Sequence, residues 1–573
     1  MTNSGLEILR HSAAHIMAQA VMELWPDVKL GIGPPIADGF YYDFGLREAL
    51  RPEDLVRIEE RMKEIVAANL PFKASRIPKK KAIKLFKRLG QDYKLELIED
   101  IQEDEVSIYQ QGKFIDLCLG PHVESAGQIK ALKLLSIAGA YWRGSESNPM
   151  LQRIYGTAFA TEEDLAKHLA RLEEAKRRDH RRLGKELDIF SFHEEGPGFP
   201  FYHPKGVVLY ETLLNFWKEE HRQAGYVEVK TPIVLREELW KRSGHFDHYK
   251  EHMYFTTINE QSFAIRPMNC PGGLLIYKER QHSYRELPIR MAELGLVHRH
   301  ELSGVLHGLF RVKSFVIDDA HIFCLPTQLC GEIMEVTRLI LRIYKITGFE
   351  DYTIELSTRP QKSMGTDQMW EEATRALKDA LANLKIDYKV NEGEGAFYGP
   401  KIDFHIRDCL ERSWQCGTVQ VDFSMPERFQ LEYIAEDGLP HRPVMIHRAA
   451  FGSVERFIGI LIEHYGGAFP TWLAPTQVKV MTIADRHADY VKSIASRLKE
   501  FGFRVESDLR NEKIGYKVRD AQTQKIPYML IIGDREVEEQ TISVRTRSGG
   551  DQGSMGLEEF IKQVKEEIES KSR

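Results

Sequence analysis

The sequence predicts a multidomain protein of the α+β and α/β classes, and three observations lead to this prediction. The chain has 573 residues, whereas a single hydrophobic core rarely grows beyond about 250–300 residues. A long charged helical stretch and two Pro- and Gly-rich stretches divide the chain into segments of different pattern. The C-terminal stretch alternates strand-like and helix-like runs, which is typical of an α/β domain. We therefore expect several folded segments, and we take them in chain order.

The first predicted element is an amphipathic helix over residues 5–25. At about 100° per residue, His11 and His15 of the sequence HSAAH fall on roughly the opposite side from its apolar stripe, so packing alone does not explain them. The Gly- and Pro-rich stretch GIGPPIADGFYYDF that follows is turn-rich and suited to a pocket wall. The stripe consists of Leu6, Leu9, Ala13, Ile16, Ala20 and Leu24.

A charged helix is predicted over residues 161–190, in TEEDLAKHLARLEEAKRRDHRRLGKELDIF. Thr161 and Asp164 have the spacing of a capping box, which starts helices. We expect this helix to link two domains. A basic run within it fits either a solvated face or a contact to an RNA backbone. The run comprises Lys176, Arg177, Arg178, Arg181 and Arg182.

Two further segments follow. GPGFPFYHPKG marks a boundary, after which residues 205–470 mix helices with strands such as 226-YVEV, 394-EGAFYGPKIDFHI and 418-TVQVDF. PTWLAPTQ is the next expected linker. Beyond it, the strand-like runs VKVMTIA, FRVESDL, YMLIIG and TISVRT alternate with helical runs, one of them basic and starting at Gly515. This alternation predicts a small α/β domain with a mostly parallel sheet.

Composition excludes some classes of protein but identifies no function. Apolar residues make up 42% and charged residues 29%, as in ordinary globular proteins. No apolar run approaches the ~18–20 residues of a membrane helix, and the N-terminus is too polar for a signal peptide. Six cysteines without CxxC or disulfide-like spacing favour the reducing cytoplasm. Because the net charge is −6, any RNA contact has to come from local basic patches.

Three residues that could bind a metal ion lie far apart in the sequence of the large segment: Cys270 in RPMNCPGG, His321 in DDAHIF and His447 in VMIHR. Their spacing matches no recognisable zinc motif, and a lone Cys or His is usually structural. The residues alone therefore leave open both a metal site and a structural role for each side chain.

Arginines in the same segment favour a triphosphate site without a Walker loop. HRHELSG (298–304) and GLFRVKSF (308–315) are predicted to be two strands joined by a loop that carries Arg299 and Arg311. GSVERF opens a helix with Arg456 in its first turn. Planar guanidinium donors on a β-platform suit phosphate groups, and the alternative for each is a surface salt bridge. Neither GxxxxGK[ST] nor a GxGxxG after a strand is present.

At these residues the chain resembles a known family. The stretches 299-RHEL, GSVERF and 227-VEVKTP with Pro232 resemble motifs 2, 3 and 1 of class II aminoacyl-tRNA synthetases. RPMNCPG, LHGLFRVKSF, DDAHIFC, GEGAFYGPKIDF, WQCGTVQVDFS, PVMIHRA and DLRNEKIGYKVR look like the threonyl-tRNA synthetase family, over nearly the whole chain. The resemblance implies an N-terminal α+β editing domain over residues 1–160, a class II antiparallel-sheet catalytic domain over 191–474 and a C-terminal α/β anticodon-binding domain over 475–573.

For the catalytic domain, the resemblance implies one zinc ion per subunit, held by Cys270, His321 and His447 with a fourth position open to substrate. Threonine would bind zinc through its amino group and hydroxyl, whereas valine lacks the hydroxyl and would be rejected. The resemblance also implies substrate contacts by Met268, Asp319, Tyr398, Lys401, Gln415, Gln420 and Ser453.

ATP is the second expected substrate, and Mg²⁺ is expected with it. Arg299 and Arg456 would hold its phosphates, with Arg311 assisting, so that the threonine carboxylate attacks in line.

Zinc does not exclude serine, which lacks only a methyl worth about 1–3 kcal/mol, and a second hydrolytic site is the remedy. HSAAH followed by CLGPH (118–122) resembles the editing domain shared with alanyl-tRNA synthetases. The resemblance implies that water-mediated hydrolysis of Ser-tRNA occurs there without a required metal. Zinc held by the Cys and His side chains and nucleophilic attack by the thiol are the alternatives. The implied editing residues are His11, His15, Lys94, Asp116, Cys118 and His122.

In the C-terminal domain, the resemblance implies contacts to the anticodon of tRNA(Thr). Single-stranded bases are recognised at their edges by mixed polar groups, and the alternative for each residue is an ordinary exposed charge. The implied anticodon-binding residues are Asn511, Lys513, Arg519, Glu536 and Arg545. The segment around Pro232 resembles the pairing motif of the class, so a homodimer is expected.

The chain departs from the family pattern at three positions near the site. His300 stands where asparagine is usual, Gly273 where histidine is usual and Ile317 where glutamine is usual, and Ile317 is expected to lose a polar contact to substrate. The small N-terminal domain usual in bacterial enzymes is also expected to be missing. Two rival functions are a regulatory RNA-binding protein that charges no tRNA and a stand-alone hydrolase of mischarged tRNA.

Overall fold

The computed structural model describes residues 3–572 and divides the chain into two compact units, one up to Glu173 and one from Glu174. None of the helices in this described range combines the length and apolarity needed to cross a bilayer. Each unit is described separately.

The first unit consists of a long buried helix and two antiparallel sheets, ordered β1–β3–β8–β7, with β2 beside β3, and β4–β5–β6. Its elements are α1 (Asn3–Leu24), β1 (Lys29–Leu30), β2 (Pro35–Ile36), β3 (Gly39–Gly45), α2 (Asp54–Ala67), β4 (Lys73–Pro78), α3 (Lys79–Arg88), α4 (Asp92–Asp100), β5 (Glu105–Gln111), β6 (Phe114–Leu117), β7 (Ala131–Tyr141), β8 (Met150–Phe159) and most of α5 (Glu162–Arg178).

The predicted N-terminal helix is confirmed, but it is buried on more sides than an amphipathic surface helix. α1 packs against α2, β3 and β8, so that His15 is only 3% exposed although it lies opposite the apolar stripe. Part of the stretch expected to be turn-rich is a strand, β3, with Tyr42 buried in it.

The predicted linker helix is wrong as a single element. The N-cap hydrogen bond of the predicted capping box forms, since the Asp164 N–H donates to Thr161 Oγ1 at 3.1 Å, and the Asp164 carboxylate accepts from the Thr161 hydroxyl at 2.7 Å. The helix nevertheless ends at Arg178, and Asp179 caps a new helix by accepting from the Arg181 N–H at 2.8 Å. A local N-cap hydrogen bond here competes with continued helix.

The second unit begins with a large segment built on an eight-stranded sheet. Its elements are α6 (His180–Glu186), β9 (Phe190–Ser191), β10 (Phe201–Tyr202), α7 (Pro204–Gln223), β11 (Val227–Glu228), β12 (Val234–Arg236), α8 (Glu237–Ser243), α9 (His245–Tyr249), β13 (Tyr254–Ile258), β14 (Gln261–Ile265), α10 (Cys270–Lys278), β15 (Ile289–His298), β16 (Ser314–Cys324), α11 (Leu329–Thr347), β17 (Tyr352–Ser357), α12 (Asp367–Asn383), β18 (Lys389–Asn391), β19 (Lys401–Arg407), β20 (Ser413–Asp422), α13 (Ser424–Arg428), β21 (Tyr433–Ile434), β22 (Pro440–His441), β23 (Val444–Ser453) and α14 (Val454–Tyr465).

The sheet runs β11–β15–β16–β23–β20–β19–β17–β18, and all its pairs between β15 and β17 are antiparallel. His321 of β16 lies directly opposite His447 of β23. Farther along this pair the register shifts, and the Asp318 carboxylate accepts the N–H groups of Ala450, Phe451 and Gly452 at 2.8–3.0 Å. A buried side chain thereby replaces the strand partner that these backbone groups lack.

The two predicted strands, 298–304 and 308–315, are wrong in extent, but the prediction that a loop carries Arg299 and Arg311 is confirmed. β15 ends at His298 and β16 begins at Ser314, so both arginines lie on the loop between these strands. Gly308 has φ +49° there, in the left-handed region that breaks an extended strand. In 394-EGAFYGPKIDFHI, the strand begins only at Lys401, because the preceding proline has no N–H to donate.

The C-terminal segment has a five-stranded sheet in the order β25–β24–β26–β27–β28. Only β25–β24 and β24–β26 are parallel, so the prediction of a mostly parallel sheet holds for half of the pairs. The missed strand β28 follows β27 through a short Gly-rich turn, which forces antiparallel pairing. The elements are β24 (Val478–Thr482), α15 (Ala488–Glu500), β25 (Val505–Asp508), α16 (Ile514–Thr523), β26 (Tyr528–Ile532), α17 (Asp534–Glu539), β27 (Ile542–Thr546), β28 (Gly550–Met555) and α18 (Leu557–Ser570).

Candidate metal centre and a second Cys/His cluster

The structure brings Cys270, His321 and His447 together. Cys270 begins α10, and the two histidines face each other across β16 and β23. One ligand atom from each lies within 4.8 Å of the others, and all three residues are at most 5% exposed. This is the residue set and the spacing of a three-ligand metal site with an open position.

The hydrogen bonds of these residues fit a bound cation. His321 Nε2 is buried and has no hydrogen-bond partner among the described residues, while His447 Nε2 lies 2.9 Å from Asp422 Oδ2. Burial lowers the pKa of His321 and raises that of the Cys270 thiol, so the imidazole is neutral. An unpartnered imidazole nitrogen beside a carboxylate-oriented one is the arrangement expected of metal ligands.

Two more polar residues adjoin the cluster. Asp319 Oδ2 lies 3.6 Å from His321 Nε2, and burial raises the pKa of Asp319 to about 7. His245 Nε2 lies 3.6 Å from Cys270 Sγ and 3.0 Å from Met268 Sδ. Sequence reasoning missed His245 and Asp422. Asp422 stood inside the quoted stretch WQCGTVQVDFS, but no local signal singled out His245.

A polar row continues from the cluster. The Tyr398 ring lies 5.0 Å from the His447 ring, and its hydroxyl donates to Gln420 Oε1. Gln420 Nε2 donates to Thr418 Oγ1 at 3.3 Å. This row joins the predicted substrate residues to the wall of the cleft described below.

Buried Asp403 holds the other end of the row. Its carboxylate accepts from Thr418 Oγ1 at 3.3 Å and from Gln415 Nε2 at 2.7 Å, and it lies 2.9 Å from Lys401 Nζ. Gln415 itself is exposed, and its side chain is directed to Asp403.

Beside the triad lies a cleft of about 440 Å³, lined by all three predicted arginines. The Arg299 guanidinium lies 5.2 Å from the centre of the Phe315 ring, and Arg456 Nε donates to Phe310 O at 3.1 Å. Arg311 pairs with Glu301 at 2.9 Å. The cleft therefore presents cations on a loop and on the first turn of α14, not on strands.

The structure places the departures from the family pattern. Ile317 lines the cleft. A Cβ on Gly273 would lie 3.3 Å from His321 Nδ1, so this glycine stands directly behind a triad imidazole. His300 is exposed, and its N–H donates to His252 O at 2.8 Å.

A second cluster lies in the first unit, where His11 and His15 of α1 meet Cys118 and His122. Ligand atoms of all four lie within 4.8 Å of one another. Cys118 Sγ is 3.3 Å from His11 Nε2 and 3.2 Å from His122 Nε2. Ser12 Oγ, which the sequence did not indicate, lies 3.1 Å from His122 Nδ1. These side chains therefore satisfy much of one another's hydrogen bonding.

Burial controls the protonation of this cluster. It raises the pKa of Cys118 to about 11 and lowers that of His122 to about 2. The pKa values of His11 and His15 are also lowered by burial. At neutral pH the thiol is therefore protonated and the imidazoles are neutral, which disfavours the interpretation of Cys118 as a nucleophile.

A buried ion pair supports the cluster. Lys94 Nζ lies 2.6 Å from Asp116 Oδ1, and both side chains are at most 3% exposed. Tyr42 donates to Asp116 and accepts from Lys94 Nζ at 3.0 Å. His15 Nε2 is 3.8 Å from Asp116 Oδ2, and His15 Nδ1 has no partner within residues 3–572. Tyr42 lies in the stretch GFYYDF, which the sequence indicated only as a pocket wall.

A third cluster, Asp179, His180 and Glu463, is structural. His180 Nδ1 lies 2.6 Å from Glu463 Oε1, and His180 Nε2 accepts the Leu309 N–H at 3.0 Å. Both imidazole nitrogens are therefore already used in hydrogen bonds.

The predicted anticodon residues all lie in the C-terminal segment, but they differ in exposure and in hydrogen bonding. Asn511, Lys513 and Arg519 are exposed at or near α16. Glu536 is used locally, because its Oε2 accepts the Gly533 N–H at 2.8 Å and caps α17. Arg545 Nε is buried without a hydrogen-bond partner in the described chain.

Comparisons with known proteins cover both units. Residues 254–465 match the tRNA synthetase class II core domain (G, H, P, S and T), 477–567 the anticodon binding domain, and 106–155 the threonyl and alanyl tRNA synthetase second additional domain. The chain is 60% identical to threonine–tRNA ligases of Clostridium tetani and Acetivibrio thermocellus, over 99% of its length and 89% of theirs.

A solved structure agrees with these sequence matches. The RNA binding domain of threonyl-tRNA synthetase from Cryptosporidium parvum is 41% identical with a TM-score of 0.66, covering 68% of this chain and 98% of that one. The chain therefore belongs to the threonine–tRNA ligase family of class II aminoacyl-tRNA synthetases.

Proposed function

We propose that this protein activates L-threonine with ATP, transfers it to tRNA(Thr) and hydrolyses mischarged Ser-tRNA(Thr). The observation that carries the proposal is the buried triad of Cys270, His321 and His447 beside an arginine-lined cleft. We assign residues 191–474 to aminoacylation, 475–573 to anticodon binding and 1–160 to editing, with 161–190 as a linker.

The triad residues fit one zinc ion per subunit. The unpartnered His321 Nε2, the Asp422–His447 hydrogen bond and the buried thiol support this assignment. When bound there, zinc supplies a Lewis-acid position that distinguishes an amino acid with a β-hydroxyl from one without. Asp319, beside His321, is the group placed to receive the amine or hydroxyl of threonine.

The cleft suits ATP, and Mg²⁺ would accompany the nucleotide. Arg299, Arg311 and Arg456 line it and match the negative charge of a triphosphate. Ser453 Oγ accepts the Arg456 N–H at 3.2 Å and fixes the first turn of α14. Attack by the threonine carboxylate on the α-phosphorus then depends on positioning and charge neutralisation.

Editing in this proposal uses water. Neutral imidazoles can accept a hydrogen bond from water and orient it, whereas a thiol with a pKa of about 11 is a poor nucleophile at neutral pH. His15 Nδ1, buried and without a partner in the described chain, is the nitrogen available to accept that hydrogen bond. The Lys94–Asp116 pair orients this site.

Three further assignments complete the proposal. Asn511, Lys513 and Arg519, being exposed, are the residues placed to contact anticodon bases. Exposed apolar side chains around Pro232 support a homodimer: Val227 is 58% exposed and Val234 is 43% exposed. Six free cysteines support a cytoplasmic location.

One experiment tests the whole assignment: zinc content per subunit measured together with ATP–pyrophosphate exchange and tRNA charging for threonine, serine and valine. We expect exchange with threonine and serine, little with valine, and no accumulation of Ser-tRNA. Absence of threonine-dependent exchange in the zinc-loaded protein would favour the regulatory RNA binder. Accumulation of Ser-tRNA would contradict the editing assignment alone.

A further inference from the structure

The first unit carries an exposed basic face whose side chains form no ion pair with any residue that the structure describes. Residues 73–88, which form β4 and α3, contain eight cations and no acid. No acidic residue lies between Glu64 and Asp92. In a chain of net charge −6, this is a strong local concentration of positive charge.

Five of the six cations of α3 share one side of the helix. At 100° per residue these five fall within about 120° of arc, whereas Lys79 lies on the other side, toward fully buried Ala82 and Phe86. All five side chains of this basic face are exposed. They belong to Lys80, Lys81, Lys84, Lys87 and Arg88.

Within residues 3–572, none of these five forms an ion pair, whereas cations on several other helices do. On α2, for example, Arg61 pairs with Glu64 at the next turn. The basic run that the sequence indicated as a possible RNA contact is also neutralised, since Arg177 pairs with Glu174 and Arg182 with Glu186. Like charges four residues apart on a helix repel each other, so the α3 face is suited to an external anion.

The basic face belongs to the part of the fold that carries the second Cys/His cluster. β4 pairs with β5, and β5 pairs with β6, which contains Asp116 and leads directly into Cys118. α3 packs against α4, which carries Lys94. An anion on this face therefore lies on the same small sheet-and-helix layer as the editing residues.

We infer that the α3 face binds the phosphate backbone of tRNA near its 3′ end while the mischarged ester lies in the editing cluster. This inference rests on the editing function proposed above. Closely spaced lysines on an exposed helix match a polyphosphate backbone, and their contribution is independent of base sequence. A membrane surface fits less well, because the apolar side of α3 is buried in the protein and cannot insert into lipid.

The test uses the full-length protein with Lys80→Gln, Lys84→Gln and Lys87→Gln combined, since glutamine keeps helix propensity. The matched control is Lys167→Gln, Arg177→Gln and Arg182→Gln, which removes three positive charges that are paired. Thermal unfolding and threonine-dependent ATP–pyrophosphate exchange should match wild type in both.

For Ser-tRNA deacylation, we expect KM to rise about tenfold in the α3 variant with kcat nearly unchanged, and the dependence of log kcat/KM on log salt to become shallower by about 2–3. The control should keep wild-type KM and slope. Wild-type KM and salt slope in the α3 variant would overturn the inference, as would a loss confined to kcat. Binding to phosphatidylserine vesicles that the variant loses, with deacylation unchanged, would instead identify a membrane surface.

Failure of the editing proposal is separable from failure of this inference. If wild-type protein does not deacylate Ser-tRNA, editing is wrong. Binding of an acceptor-stem hairpin, measured by fluorescence anisotropy, then tests the face directly. Weaker binding with a shallower salt slope in the α3 variant supports an RNA-binding face, and equal binding in the two proteins overturns it.

Discussion

The chain contains two Cys/His clusters of nearly the same residue types, and they differ in what surrounds them. In the cluster of Cys270, His321 and His447, two carboxylates lie within 3.6 Å of the imidazoles, and neither pairs with a Lys or Arg in the described chain. In the cluster around Cys118, the thiol contacts two imidazoles, and Asp116 is neutralised by Lys94 at 2.6 Å. Carboxylates without a paired Lys or Arg favour a bound cation, whereas a carboxylate already paired with a lysine favours a site that works with water. Residue type alone therefore does not identify a metal site.

The largest expected effect is a difference between substitutions of Cys270 and Cys118. Cys270→Ser should remove zinc and lower threonine-dependent ATP–pyrophosphate exchange about a thousandfold, because a first ligand of the proposed zinc is lost. Cys118→Ser should leave zinc content and exchange at wild-type values. Metal analysis of both purified variants checks this, and zinc retained by the Cys270 variant would contradict the ligand assignment.

The next prediction concerns the neutralised charge in the editing cluster. Lys94→Met should destabilise the first unit by about 3–5 kcal/mol, since it leaves buried Asp116 unpaired. Lys133→Met, which removes a pair with a 46% exposed lysine, should cost less than about 1 kcal/mol. Urea unfolding followed in both variants measures the difference, and equal losses would mean that the Lys94 pair contributes no more than a surface ion pair.

A third prediction concerns the imidazole proposed to orient the water. His15→Gln should lower Ser-tRNA deacylation about a hundredfold and leave threonine charging unchanged, because the attacking water is no longer positioned. His168→Gln, also at a buried histidine of the first unit, is the control and should deacylate normally. Unchanged deacylation in the His15 variant would exclude that nitrogen as the acceptor.

The smallest expected effect is a pH dependence. Burial sets the pKa of His122 near 2, below its unfolded value of about 6.5, so its contribution to stability is present above pH 6.5 and is lost as the pH falls. Burial raises the pKa of Cys118 to about 11. The contribution of the neutral thiol to stability is therefore lost only as the pH rises above the ordinary pKa of a thiol.

The measurement is the urea midpoint of the first unit between pH 4 and 9, with and without EDTA. His122→Asn should flatten the acid side, by at most about 1.4 kcal/mol per pH unit. The wild-type curve should be the same with chelator. A midpoint lowered by EDTA would show that the four side chains hold a metal after all.

Much of the fold was predictable because its signals are local. The N-terminal helix, the Thr161 cap and the helix opened by GSVERF follow from periodicity and capping residues. Convergence of Cys270, His321 and His447 was not predictable from spacing, because it depends on the register of β16 against β23 and came only from family resemblance. His245 gave no signal for the same reason: its contact with Cys270 is made by tertiary packing.

The Asp318 carboxylate fixes strand β23 near its middle. It accepts hydrogen bonds from three successive backbone N–H groups, which separate the part of the strand that bears His447 from the part that leads to Ser453 and Arg456. Under the assignments proposed above, substitutions near His447 and substitutions near Arg456 should therefore act separately on amino acid preference and on nucleotide binding, provided that the Asp318 hydrogen bonds are kept.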